Sequence, residues 1–167
     1  SGVHIVNGTG NRITSNSIYG NIGKNIDLDF MYGGLPNDAG DGDTGPNERQ
    51  NHPDVASVTQ SGGNTLVNWS LNSTALVKPY SIELYSNLGP GTAAGKTLVA
   101  TIPASTDIAG NAAGTAPVTG LWDNISALAI DGTTGDTSEF SPAVALTPTP
   151  DVTVTPNPLN LGSVALD

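Results

Sequence analysis

The sequence predicts an all-β protein, a β-sandwich carrying a short extension at each end. Three observations lead there. Gly (21) and Pro (12) are abundant among the 167 residues while charged residues make up only 12%, a balance that favours turns and strands over helices. Helices need uninterrupted runs of Ala, Leu, Glu, Lys or Arg at 3.6-residue spacing, and Gly, Pro and β-branched clusters interrupt nearly every such run here. Between Asp54 and Leu146, short apolar alternations recur with Gly, Pro, Asn or Asp between most of them, the pattern of about seven strands in one sandwich.

The alternations predict strands over Val55–Gln60, Thr65–Asn72, Tyr80–Ser86, Thr97–Pro103, Ala116–Gly120, Ser126–Asp131 and Ser138–Leu146. Val67, Trp69 and Leu71 alternate with Asn68 and Ser70, and Ile82 and Leu84 with Glu83 and Tyr85. Each strand is therefore expected to show one dry and one wet face, with Trp69 in the core.

Ahead of the sandwich, residues 1–32 repeat a small theme: Asn11-Arg-Ile13, Asn16-Ser-Ile18, Asn21-Ile22 and Asn25-Ile26. Each places an Asn at a bend before an inward aliphatic, because Asn tolerates left-handed backbone and bonds its neighbours. The stretch GVHIVNGTGNRITSNSIYGNIGKNIDL resembles the last rungs of right-handed parallel β-helix repeat proteins. Little more than one coil fits in this length, and a solenoid needs roughly three repeats to bury its core, so Val3, Ile5, Ile13 and Ile18 are expected to need a covering surface.

Residues 33–53, GGLPNDAGDGDTGPNERQNHP, form an acidic Gly/Pro connector without strand or helix period. The ending ALAIDGTTGDTSEFSPAV of the 54–146 unit resembles the final hairpin of bacterial immunoglobulin-like domains that follow β-helix regions in large secreted proteins, and PNDAGDGDTGPN resembles the connector between those parts. The resemblance implies an immunoglobulin-like sandwich and a structural role at the junction. Residues 147–167 open with a stiff Pro/Thr linker and turn strand-like, in VTVTPNPLNLGSVAL. That ending looks like the first strands of a further module, with Val152, Val154, Leu159, Leu161, Val164 and Leu166 as an apolar face.

Charge excludes several functions. Five basic residues against fifteen acidic ones give a formal charge of −10, which repels nucleic acid phosphates and anionic headgroups. No stretch approaches the roughly 20 apolar residues of a membrane span, so membrane insertion is not expected. The first residues lack the basic-then-apolar pattern of a signal peptide, so an export signal is expected outside this sequence if the protein is secreted. Without cysteine, disulfides and thiolate metal sites are excluded.

Seven of the fifteen acids lie between Asp27 and Asp54. Asn37, Asp38, Asp41, Asp43 and Asn47, with Asp27 and Asp29 shortly upstream, offer oxygen with glycines for sharp turns, and the spacing of Asp38, Asp41 and Asp43 suits a calcium ion of six to eight oxygen ligands. An EF-hand is rejected, since no Glu stands at the twelfth position and no helices flank the loop. A solvated acidic loop whose Asp residues cap turns stands beside the calcium reading. GPGTAAGKT fails phosphate-loop spacing and precedes a strand. His4 and His52 lie in no nucleophile-elbow or metal-ligand spacing, and too few rungs are present for a polysaccharide-cleaving face. Tyr19, Tyr32, Tyr80, Tyr85 and Trp122 could stack on sugars, although packing accounts for them as well.

Together these readings predict a non-enzymatic, extracellular or cell-surface structural subunit. It would join other copies of itself head to tail, the terminal segments exchanging strands or packing into a fibre or stalk. The alternative is an adhesin or carbohydrate-binding module, with Trp122 as the glycan contact.

Overall fold

A computed structural model describes residues 1–28 and 35–148. It is all-β, with nine strands among the described residues. They are β1 (Val3–His4), β2 (Ile26–Asp27), β3 (Asp54–Ser61), β4 (Asn64–Asn72), β5 (Pro79–Ser86), β6 (Thr97–Ser105), β7 (Asn111–Thr119), β8 (Asn124–Asp131) and β9 (Val144–Thr147). A single 3-10 turn, Pro46–Arg49, is the only helical element among the described residues.

Strands β3 to β9 form one sheet in the order β6-β5-β8-β9-β3-β4-β7. Short β9 closes it by pairing antiparallel with β8 and parallel with β3. The sheet rolls until its end strands β6 and β7 come within 8 Å of each other, so it is nearly closed. Inside lies the first core, built from Val58, Val67, Trp69, Leu71, Tyr80, Ile82, Leu84, Val118 and Ile125 with small Ala116, Ala127 and Ala129 opposite them. The inward positions of β4 (Thr65, Val67, Trp69, Leu71) follow the alternation of the sequence.

The sequence reading places all seven of these strands with two differences in extent. Strand β7 begins at Asn111 rather than Ala116, held by antiparallel pairing of Asn111–Thr115 with Asn68–Asn72, although Asn-Ala-Ala-Gly-Thr has little β propensity of its own. Only Val144–Thr147 of the last predicted strand is regular. Before it, the chain runs beside β8 on alternating backbone and side-chain bonds: Ser138 N donates to Ala129 O and Ser141 N to Ala127 O, while Ala129 N donates to Ser138 Oγ and Ala127 N to Ser141 Oγ, both at 2.9 Å.

A larger correction concerns the outer face of β5 and β8. Glu83 and Tyr85 were expected to face water, yet each is 1% exposed. Residues 1–28 lie over them. Val3 pairs with Ile26 and His4 with Asp27 in parallel register, so the amino-terminal stretch makes one coil. Its Ile5, Ile26 and Leu28 pack with Tyr85, Leu128, Ile130 and Phe140 in a second core. The Tyr85 and Phe140 rings meet edge to face, 5.3 Å between centroids.

Candidate functional site

Two constellations carry the chemistry of the described residues: the junction between coil and sheet, and the acidic loop beside it. At the junction, carboxylates of the rolled sheet take hydrogen bonds from the coil's backbone. Glu83 accepts from Ser15 N (3.0 Å to Oε2), from the Thr14 hydroxyl, and from Tyr85 Oη at 2.6 Å. Burial, then the bond and charge of Glu83, push the Tyr85 phenol well above its ordinary value. It stays a neutral donor.

Glu139 bridges the two ends of the segment that follows the coil. Its Oε1 accepts from Leu28 N at 3.1 Å and from Lys24 Nζ at 2.8 Å, and its Oε2 accepts from Leu35 N at 3.1 Å. Asp136 Oδ1 accepts from Gly10 N at 2.6 Å, and Thr137 Oγ1 from Ile13 N at 2.9 Å. A coil too short to satisfy its own backbone thus finds acceptors on the sheet, which removes the penalty of buried unpaired N–H groups.

Gly95 lets the loop before β6 approach. Ile18 and Gly95 exchange backbone bonds of 2.7 and 2.9 Å, and a Cβ on Gly95 would stand 2.5 Å from the Phe140 ring.

The acidic connector is tied to the same junction through Asn47, which is fully buried. Asn47 bonds to Asn11 and, through Nδ2, to Thr137 O at 3.1 Å. Asn47, Glu48 and Arg49 all have positive φ, between 48° and 53°, a left-handed turn that costs L-residues roughly 1–2 kcal/mol each. The side-chain bonds of Asn47 offset part of that cost.

Upstream, Asp38, Asp41 and Asp43 converge, one oxygen from each lying within 4.8 Å of the others. Two oxygens about 2.4 Å from a shared calcium ion can stand at most about 4.8 Å apart, and the three carboxylates meet that requirement. Asp38 Oδ1 and Asp43 Oδ1 are buried without a hydrogen-bond partner among the described residues. Asp41 accepts from Ser73 Oγ at 2.6 Å and Asn51 N at 2.8 Å. Burial raises the Asp41 carboxyl above its ordinary value, those two bonds oppose the rise, and Asp38 and Asp43 add to it. Asp43 is raised by burial and then by Asp38, with Arg49 opposing at 3.7 Å. Asn37 stands apart: its amide donates to His52 O at 2.8 Å and accepts from His52 N at 2.9 Å.

Other residues singled out by the sequence take structural places. Val3, Ile13 and Ile18 pack, partly buried, against the second core, and Ile5 is within it. Trp122 is half-buried against the first core and donates Nε1–H to Thr119 O at 2.9 Å. Tyr80 is buried with its hydroxyl 2.7 Å from Ser73 Oγ, and burial pushes its phenol up to about 12. Lys96 sits over the Tyr19 ring at 5.7 Å. His52 lies 3.1 Å from Pro53 O through Nδ1. Tyr32 and the tail residues Val152, Val154, Leu159, Leu161, Val164 and Leu166 lie outside the described residues.

Sequence reasoning missed Glu83, Asp136 and Glu139 as residues that join the parts, and grouped Asn47 with the acidic cluster, whereas its side chain bonds to Asn11 and Thr137. One signal for them was present. Ile125-Ser-Ala-Leu-Ala-Ile130 is nearly continuously apolar, the mark of a strand covered on both faces. Compared with protein-family models and with curated proteins, the chain matches none.

Proposed function

We propose that the chain is a non-enzymatic structural module of an extracellular protein: an immunoglobulin-like sheet that receives a parallel β-coil on its outer face and holds it rigidly. The observation that carries this reading is the use of the buried carboxylates. Glu83 and Glu139 are saturated by coil backbone, Tyr85 and Lys24, so they serve as anchors rather than acids or bases poised for a substrate. Such a junction stiffens the passage from coil to sheet, as a stalk or fibre requires.

Within this reading the acidic loop holds a calcium ion through Asp38, Asp41 and Asp43. The ion would neutralise three crowded carboxylates and lock the connector. The coil aliphatics Val3, Ile5, Ile13 and Ile18 are spent on the chain's own second core, so head-to-tail association with other copies falls to the tail alone.

Light scattering of the full chain against concentration tests the assembly. Reversible association that disappears in the double variant Val152→Asp/Val154→Asp is the expected result. A monomer at every concentration would leave the module a passive spacer. Glycan binding abolished by Trp122→Ala would instead make it an adhesin.

A further inference from the structure

We propose that Asn7 is a site of spontaneous covalent modification, a deamidation that acts on the tie between the coil and the connector. The chain has one Asn-Gly dipeptide, Asn7-Gly8, and two Asp-Gly dipeptides, Asp41-Gly42 and Asp131-Gly132. In each, the glycine nitrogen can attack the preceding side-chain carbonyl carbon without hindrance from a Cβ. The fold treats the three differently.

Asn7 and Gly8 are exposed, and the Gly8 nitrogen lies 2.8 Å from Asn7 Oδ1. That hydrogen bond, donated by the Gly8 N–H, folds the Asn7 side chain back toward the nitrogen that attacks its Cγ. Gly8 has φ +86°, backbone that glycine adopts at no steric cost.

The other two sites are locked at both ends. Gly42 N donates to Asp38 Oδ2 at 3.0 Å while the Asp41 carboxylate is held by Ser73 and Asn51. Gly132 N donates to Pro79 O at 2.8 Å while the Asp131 carboxylate is held by Lys78, Thr133 and Thr134.

In the reaction the Gly8 nitrogen loses its proton to water and bonds to Asn7 Cγ, and the side-chain amide leaves as ammonia. Water then opens the resulting succinimide at either carbonyl. One water is consumed, one ammonia is released, and nothing is oxidised or reduced. The product carries one more negative charge. Its isoaspartyl form adds a methylene to the main chain just before Gly8, whose carbonyl accepts from Asn47 N at 2.8 Å and Asn11 Nδ2 at 3.3 Å. Modification therefore displaces an acceptor of the left-handed turn and loosens the coil from the connector as the protein ages.

The test is peptide mapping by mass spectrometry, with enzymatic methylation of isoaspartate, on the full chain incubated at mildly alkaline pH. Folded wild type, the Asn7→Gln variant and wild type in urea are compared. Conversion of an amide to a carboxyl in the peptide spanning residue 7, its loss in Asn7→Gln, and isoaspartate at Asp41 and Asp131 only in urea are the expected results. Asn7 that stays intact in the folded chain, or Asp41 or Asp131 converting as fast as Asn7 there, would overturn the proposal.

Discussion

Asn11 and Asn47 exchange three hydrogen bonds across 36 residues of sequence: Asn11 N and Nδ2 each donate to Asn47 Oδ1 at 3.0 Å, and Asn47 Nδ2 donates to Asn11 O at 2.8 Å. With these bonds a short coil and a left-handed turn, neither stable alone, hold each other in place.

Two substitutions at residue 47 separate the bonds from the backbone. Asn47→Ala loses the side-chain bonds and keeps the positive-φ cost, so urea denaturation should show a loss of about 3 kcal/mol. Asn47→Gly loses the bonds but relieves the backbone, and should be less destabilised by about 1 kcal/mol. Equal losses would assign the whole effect to the side chain.

Glu83→Leu should cost about 2 kcal/mol in the same measurement, because it strands the buried Tyr85 hydroxyl and removes the acceptor shared by Ser15 N–H and the Thr14 hydroxyl. Glu83→Gln keeps one carbonyl acceptor and should recover part of that loss.

Asp131 sets an acid limit. Burial alone would raise its carboxyl, but the Thr133 N–H, the Lys78 ammonium at 3.0 Å and the Thr134 N–H outweigh burial and hold it below its ordinary value. An acid depressed in the folded state contributes stability above its unfolded pKa, and that contribution is lost as pH falls through the folded value. Lys78→Met weakens the depression, so its acid-unfolding midpoint, followed by circular dichroism, should move to higher pH than that of the wild type.

Calcium should stabilise the fold, by about 2.7 kcal/mol at a hundredfold excess over its dissociation constant. Asp41→Asn removes one of the converging charges and should abolish the rise in melting temperature. A wild type indifferent to calcium would return the loop to a set of capped turns.

Sequence periodicity revealed the strands whose inner faces share one core, because alternation at Val67, Trp69 and Leu71 needs only local physics. The outer face of β5 was misread for a physical reason. Glu83 and Tyr85 are polar enough to look solvated, and their partners Thr14 and Ser15 stand some seventy residues away. The Asn rhythm of residues 11–26 marked a coil, yet nothing local shows which surface covers it. The three aspartates were legible as a cluster because they are close in sequence, whereas the departure of Asn37 depends on its exchange with His52.

The central claim is that the amino-terminal coil is an integral part of this fold, docked on the outer face of β5 and β8. Hydrogen exchange of the full chain tests it most directly at the amides of Gly10, Ile13, Ser15 and Leu28, which donate to Asp136, Thr137, Glu83 and Glu139. The account predicts that they exchange as slowly as the β8 amides, opening only with global unfolding. Fast exchange at all four while β8 stays protected would contradict it.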